Sequence, residues 1–137
     1  IWHASSSAGT TAGLAAGVAR NGFDFRVVGS SVGESQAELA ESVQALLADT
    51  STPDAPFEIV DEHVGLGYGK TTDDELRVQI EATQLTGLIW DPTYTGKALF
   101  GLKQEIDRGR FDPTDQVVFW HTGGGFAVFA HNFPLDG

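Results

Sequence analysis

Ile1-Trp2-His3-Ala4-Ser5-Ser6-Ser7-Ala8-Gly9-Thr10-Thr11-Ala12-Gly13-Leu14-Ala15-Ala16-Gly17-Val18 begins apolar, passes through a loop of small residues and enters a run of small helix formers. The order is that of strand, loop and helix. Small side chains let the backbone close around a tetrahedral anion. A helix starting near Thr10 directs its unpaired N–H groups and the positive end of its dipole at the same point. The stretch therefore predicts a phosphate cup. The same residues would also serve a plain tight turn between strand and helix, and the loop alone does not separate the two.

Outward from this unit, short apolar runs alternate with helix-period segments, the pattern of βαβ units. It predicts an α/β fold in three layers, a mostly parallel sheet with helices on both faces. Phe25-Arg26-Val27-Val28-Gly29 reads as a strand, and Leu39, Val43, Leu46 and Leu47 mark one face of a helix from about Glu34 to Ala48. Phe57-Glu58-Ile59-Val60 reads as a shorter strand. Thr72 with Glu75 forms a capping box opening a helix that carries Leu76, Ile80 and Thr83 on one face and stops at Gly87. Leu88-Ile89-Trp90 reads as the next strand, ended by Asp91-Pro92. Thr95 to Arg108 reads as a helix aligning Ala98, Leu102 and Ile106, closed by Gly109. Gln116-Val117-Val118-Phe119-Trp120 reads as a buried strand, and a last helix from about Phe126 ends near Asn132-Phe133-Pro134.

A chain of 137 residues, 41% hydrophobic and 20% charged, fits one folded domain. Nineteen acidic residues against eight basic ones give a formal charge of −11, with no basic stripe, which speaks against nucleic acid and anionic membranes as partners. A phosphate would have to be held by local N–H groups. The absence of Cys excludes disulfides, thiolate metal sites and a cysteine nucleophile, and the four histidines lack metal-ligand spacing, so no metal is expected. No apolar run reaches membrane-spanning length, and the expected location is the cytoplasm. The chain opens at Ile1 on a core-like strand and contains no Met, which predicts a start inside a larger domain.

In open α/β sheets ligands sit beyond the carboxyl ends of the strands. The loops Ser5 to Thr10, Tyr94 to Thr95 and His121 to Gly125 are expected there. Gly69-Lys70-Thr71 has the ending of a phosphate-binding P-loop, but Val64 stands where the pattern needs glycine, and the match fails. Gly67-Tyr68-Gly69 instead reads as a flexible loop presenting a tyrosine, either to a ligand or as an exposed anchor. In Asp91-Pro92-Thr93-Tyr94-Thr95-Gly96-Lys97 the threonines could face a ligand or simply cap a helix, and Asp91 could satisfy loop N–H groups.

Together, Ala4-Ser5-Ser6-Ser7-Ala8-Gly9-Thr10 with Ala12-Gly13-Leu14, Gly67-Tyr68-Gly69, Asp91-Pro92-Thr93-Tyr94-Thr95-Gly96-Lys97-Ala98 and His121-Thr122-Gly123-Gly124 resemble one family over nearly the whole chain. It is the family of D-cysteine desulfhydrases and 1-aminocyclopropane-1-carboxylate deaminases, within the tryptophan synthase β class of pyridoxal 5'-phosphate enzymes. The resemblance is to its C-terminal part. It implies that residues 1–137 are the C-terminal portion of the large, cofactor-binding domain of a fold-type-II enzyme.

By that resemblance Ser6, Ser7, Ala8, Gly9 and Thr10 would hold the cofactor phosphate, and Thr95, Thr122 and Gly123 would also contact the cofactor. Tyr68 and Tyr94 would face the substrate, orienting its carboxylate and taking part in proton movement. The deaminases carry a carboxylate at the position of Thr95 and an apolar residue at that of Thr122, whereas the desulfhydrases carry threonine at both. A threonine hydroxyl offers the pyridine nitrogen only a neutral hydrogen bond, which suits β-elimination with a good leaving group. The implied activity is a carbon–sulfur lyase yielding a keto acid, ammonia and sulfide from a D-cysteine-like substrate. L-cysteate sulfo-lyase and cyclopropane deaminase are the rivals within the family, and a non-catalytic module that binds a phosphorylated small molecule is the rival outside it. The lysine that tethers the cofactor belongs to the family's N-terminal portion, and Lys70, Lys97 and Lys103 lie in other contexts. The implied partners are that N-terminal portion, a small amino acid, and a second copy in a homodimer of the complete enzyme.

Overall fold

The computed structural model describes residues 1–130. In chain order the elements are β1 (Trp2–Ser5), α1 (Gly9–Asn21), β2 (Val28–Ser31), α2 (Gln36–Asp49), β3 (Glu58–Val60), α3 (Asp73–Thr86), α4 (Thr95–Asp107) and a short 3₁₀ helix, Gly125–Ala130. The strands form one parallel sheet in the order β1-β2-β3. Trp2 pairs with Val28, His3 with Gly29 and Ser5 with Ser31, and Gly29 pairs in turn with Ile59.

Because side chains alternate along a strand, this register sorts the core into two halves. Ile59 packs beneath Ala8, Ala12, Ala15 and Ala16 of the first helical unit and Leu39, Val43 and Leu47 of α2. On the other face Trp2, Ala4, Val28 and Val60 pack against Ala98 and Leu102 of α4. The three-layer α/β arrangement expected from the sequence is the one observed. The alanine stripe of α1 lets that helix lie close to the sheet, and Gly29 completes the approach. A Cβ there would stand 2.9 Å from Thr11 Oγ1 and 3.1 Å from Ser5 Cβ.

The helix starts follow the sequence closely. Ser35 with Glu38 caps α2 and Thr72 with Glu75 caps α3, each as a full capping box. Below the sheet, Glu105 of α4 accepts from His63 Nε2 at 2.9 Å and Arg110 Nη1 at 2.8 Å, while Arg110 Nη2 reaches Glu58 Oε1 at 2.6 Å. Burial alone would raise the Glu105 pKa, but the bonds from Arg110 and His63 outweigh it and hold the carboxyl below its usual range.

Several expectations are corrected. The second strand runs Val28–Ser31 rather than 25–29, because Phe25 packs on Phe23 at the exposed end of the chain segment. Residues 88–90 form no strand, and Leu88 and Ile89 are exposed. The segment 116–120 is not a buried strand. It joins the sheet through Trp2, whose N–H donates to Val118 O and whose carbonyl accepts from Trp120 N–H, both at 2.8 Å, while Val117, Val118 and Trp120 stay exposed. Its apolar pattern is that of a covered strand, and no described residue covers it. α3 buries Glu75 and Gln79 rather than the face of Leu76, Ile80 and Thr83, since α4 presents Gly96 and Lys97 to it and receives polar side chains. In α4, Ala98 and Leu102 are buried as expected, but Ile106 is exposed and Glu105 turns inward instead. From Gly125 the chain makes the 3₁₀ turn rather than a full helix, and its expected end at Asn132-Phe133-Pro134 lies outside the described residues.

Gly29→Ala should lower stability by about 1–3 kcal/mol, because α1 must move away from the sheet. Gly17→Ala, where a Cβ meets open space inside α1, should raise it by about 0.5–1 kcal/mol. Urea midpoints check both, and equal midpoints for Gly29→Ala and the parent would contradict this account of the packing.

Candidate active site

The loops that follow β1 and β3, the 91–95 turn and the 121–124 turn meet beyond the carboxyl end of the sheet. Ser6, Ser7, Thr10, Tyr94, Thr122 and Gly123, together with Ala4 and Gly124, line one cavity of about 260 Å³ there. Segments far apart in sequence thus converge on the mouth of α1. Ala8 precedes that helix in the left-handed conformation, at φ 63°, and offers no side chain to cap it. No side chain caps the first-turn amides beyond Gly9, which suits an external acceptor. The Gly9 N–H turns back to Ser7 O at 2.8 Å, and no atom lies within 4 Å of where a Cβ on Gly9 would stand. The loop therefore leaves an open cradle, with hydroxyls from Ser6, Ser7 and Thr10 at its rim, which suits a phosphate.

Beneath the cradle lies a buried polar chain that the sequence reading did not single out. His3 Nδ1 faces the carbonyl of Ala4 at 2.8 Å, so the proton sits on Nδ1 and Nε2 is the acceptor. Thr11 Oγ1, 3.3 Å from Nε2, donates to it and accepts from Ser5 Oγ at 2.9 Å. Burial in the first instance lowers the His3 pKa, keeping the ring neutral. The chain anchors the first turn of α1 to β1 and leaves the outer serines to the cavity. A polar triad spaced His3, Ser5, Thr11 across a strand and a helix start is the signal that marks it.

Asp91 holds the facing wall. Its Oδ2 accepts from the amides of Thr93 at 2.9 Å and Tyr94 at 2.7 Å, and its Oδ1 accepts from the amide and hydroxyl of Thr95 at 2.8 and 2.7 Å. Asp91 thus satisfies the loop N–H groups, as one reading of the sequence had it, whereas no threonine caps α4, whose N-cap is Tyr94 without a side-chain bond. Thr95 is fully buried, its proton goes to Asp91, and its oxygen accepts from the Asp91 N–H at 3.3 Å. Its hydroxyl is thus directed away from the cavity, and Thr122 is the threonine of the pair that lines it. Gly124, at φ 89°, lies against the Asp91 carboxylate so closely that any Cβ would collide with it, which sets the 122–124 turn beside the cavity. His121 lies at the surface, its Nε2 donating to Ile89 O at 3.0 Å while Nδ1 accepts from Gly123 N–H at 3.3 Å.

Tyr68 reaches the site from the glycine loop, and its hydroxyl is hydrogen-bonded to that of Tyr94, with the rings edge to face at 5.7 Å. The bond to Tyr68, then burial and the charges of Asp91 and Glu34, raise the Tyr94 pKa above the usual phenol value, so Tyr94 is a neutral donor and acceptor at neutral pH. Glu34, at the end of β2, was not anticipated. Its Oε1 accepts from Ser6 Oγ at 3.4 Å, and its Oε2 is buried with no partner among the described residues. Lys97 is fully buried and donates to Val64 O at 2.9 Å and Glu75 Oε1 at 3.0 Å, away from the cavity. Among the described residues no helix is long and apolar enough to cross a membrane.

The His3 shift predicts an acid limb of stability. A depressed histidine pKa leaves its contribution intact above the unfolded value of about 6.5 and removes it as pH falls from there through the folded value. The fall in urea midpoint between about pH 7.5 and about pH 5.5 should therefore be smaller in His3→Gln. An equal fall in both proteins would contradict a buried neutral His3.

The chain is similar to known proteins. D-cysteine desulfhydrases of Salmonella newport and Salmonella enteritidis are 37% identical to the chain in an alignment of 136 positions that covers 94% of it. The chain spans 41% of the length of those relatives. A solved structure described as an ACC deaminase homologue superposes with a TM-score of 0.78 at 28% identity, over 90% of this chain and 39% of that one. The model of the pyridoxal-phosphate dependent enzyme family, PALP, matches residues 1–123, and the chain belongs to that family.

Proposed function

We propose that this chain is the phosphate-gripping part of a pyridoxal-phosphate carbon–sulfur lyase of the D-cysteine desulfhydrase type, acting in the cytoplasm. The observation that carries the reading is the single cavity uniting Ser6, Ser7 and Thr10 with Tyr94, Thr122 and Gly123. The uncapped start of α1 and the open cradle at Gly9 fit the phosphate, with Ser6 to Thr10 holding it through amides and hydroxyls. Thr122 and Gly123 stand where the rest of the cofactor would extend. Bound there, pyridoxal phosphate supplies the electron sink that lets the α-proton and the β-substituent leave a cysteine-like substrate.

The chain's own residues prepare the substrate side. Tyr68 and Tyr94 present a neutral pair of phenols that can orient a carboxylate and pass a proton between them. Tyr94 is no base by itself at neutral pH, because its pKa is held above the ordinary phenol value near ~10. Thr122 adds a neutral hydroxyl, which favours elimination over the opening of an unactivated ring.

A second polypeptide portion completes this reading. Lys97 is committed to Glu75 and Val64, so the tethering lysine is assigned to an N-terminal portion of the enzyme. Support comes from the exposed apolar side chains of Leu88, Ile89, Val118 and Trp120, and from a groove beside Ile89 where the Gln79 amide and Trp90 Nε1 are buried without partners among the described residues. Such exposure suits coverage by further protein.

The test is spectroscopic and chemical. The chain mixed with pyridoxal phosphate should show no visible-range band of a lysine-tethered cofactor. Co-expressed with the N-terminal portion of a relative, it should show that band and release sulfide from D-cysteine. A band or sulfide release from residues 1–137 alone would overturn the lysine assignment. In the assembled enzyme Thr10→Val should weaken cofactor retention about tenfold, the loss of one charge-assisted hydrogen bond, whereas Thr122→Val should change cofactor absorbance more than affinity. Unchanged retention and spectra would remove both threonines from the site.

A further inference from the structure

A lysine and a glutamate that are both withdrawn from water lie directly behind the tyrosine pair. Lys97 is 0% exposed and Glu75 1%. Desolvating two charges costs several kcal/mol per ion, and a well-packed apolar pair would often be as stable, so the pair calls for a role beyond stability. Its bonds indicate one. Lys97 Nζ donates to Val64 O at 2.9 Å, and the same carbonyl accepts from Gly67 N–H at 3.2 Å, closing the turn that leads into the next one, where Gly67 O accepts from Lys70 N–H at 3.3 Å around Tyr68. Glu75 Oε1 takes the ammonium while its Oε2 takes the amide of Thr72 at 2.6 Å, so one carboxylate fixes both Lys97 and the far end of the loop. Gly65, at φ 63°, is pressed onto this carboxylate, where a Cβ would approach Glu75 Oε1 to 2.8 Å. Lys97 itself sits one turn beyond Tyr94 at the start of α4.

We propose that Lys97 is a positioning residue. Through the Val64 carbonyl, its buried ammonium locks the Gly65–Gly69 loop to the start of α4, so that the Tyr68 hydroxyl meets that of Tyr94. The proposal rests on the reading of these tyrosines as substrate-facing, but the lock itself is testable without substrate or cofactor. Tyr68 and Tyr94 are the two tyrosines of the chain, so phenolate absorbance in the near ultraviolet reports on this pair alone.

The informative variant is Lys97→Met with Glu75→Gln, which removes both charges and keeps a residue able to cap Thr72. The parent should titrate in two steps, one phenol ionising above the ordinary value near ~10. In the double variant the split should narrow, because the Tyr68 bond that does most to raise Tyr94 is lost, with the helical circular dichroism retained. Burial, Asp91 and Glu34 still act on Tyr94 there, so the narrowing reports loss of the Tyr68 contact. An unchanged split in the folded double variant, or none in the parent, overturns the proposal. The substrate-facing reading fails separately, if Tyr68→Phe and Tyr94→Phe leave the assembled enzyme's sulfide release unchanged.

Discussion

Three amides and one hydroxyl converge on the carboxylate of Asp91, and the placing of the site's outer wall depends on that convergence. The carboxylate is fully buried at the N-terminal end of α4, where the helix dipole and the otherwise unpaired N–H groups of the first turn favour negative charge. Pro92 leaves no ladder hydrogen bond to continue an extended strand, so the chain turns and delivers Thr93, Tyr94 and Thr95 to Asp91 in succession. The turn aims Tyr94 at the cavity, and the same carboxylate admits only glycine at position 124. One charge thus sets two of the walls, separated by some thirty residues of sequence.

The opposite wall is built on a different economy. The small side chains of α1 and the bare Cα of Gly29 let the helix sit almost on the sheet, which brings its N-terminus to the carboxyl end of β1. The His3, Thr11 and Ser5 chain then satisfies the polar groups trapped by that approach without drawing on the outer hydroxyls. An anion cradle of neutral groups suits a protein of net charge −11, in which cationic side chains are scarce. The strongly buried cation near the site, Lys97, is spent on holding the Tyr68 loop rather than on a ligand.

The parts legible in the sequence are those governed by local rules. The capping box at Thr72 and the small-residue run of α1 each express a short-range constraint, and each forms where the residues say. The apolar segments 88–90 and 116–120 were misread because periodicity reports the need for cover and says nothing of what supplies it. With nothing described on their outer side, Leu88, Ile89, Val117, Val118 and Trp120 stay exposed and the segments largely unpaired. The burial of Glu75 and Gln79 in place of Leu76 and Ile80 was hidden for a related reason. Only the partner helix reveals that Lys97 turns inward and takes a carboxylate with it. Thr95 and Thr122 look equivalent as hydroxyl residues near a helix start and a strand end, and only three-dimensional contact shows that Asp91 claims one of them.

A phosphate gripped by the first turn of α1 would touch backbone amides that can be observed one by one. Backbone amide NMR of the chain titrated with pyridoxal phosphate examines this directly. Saturable shifts should concentrate at Ser7, Ala8, Gly9 and Thr10, with smaller ones at Thr122 and Gly123, and inorganic phosphate should reproduce the first group alone. Shifts confined to other parts of the chain, or none at millimolar-order ligand, would contradict it.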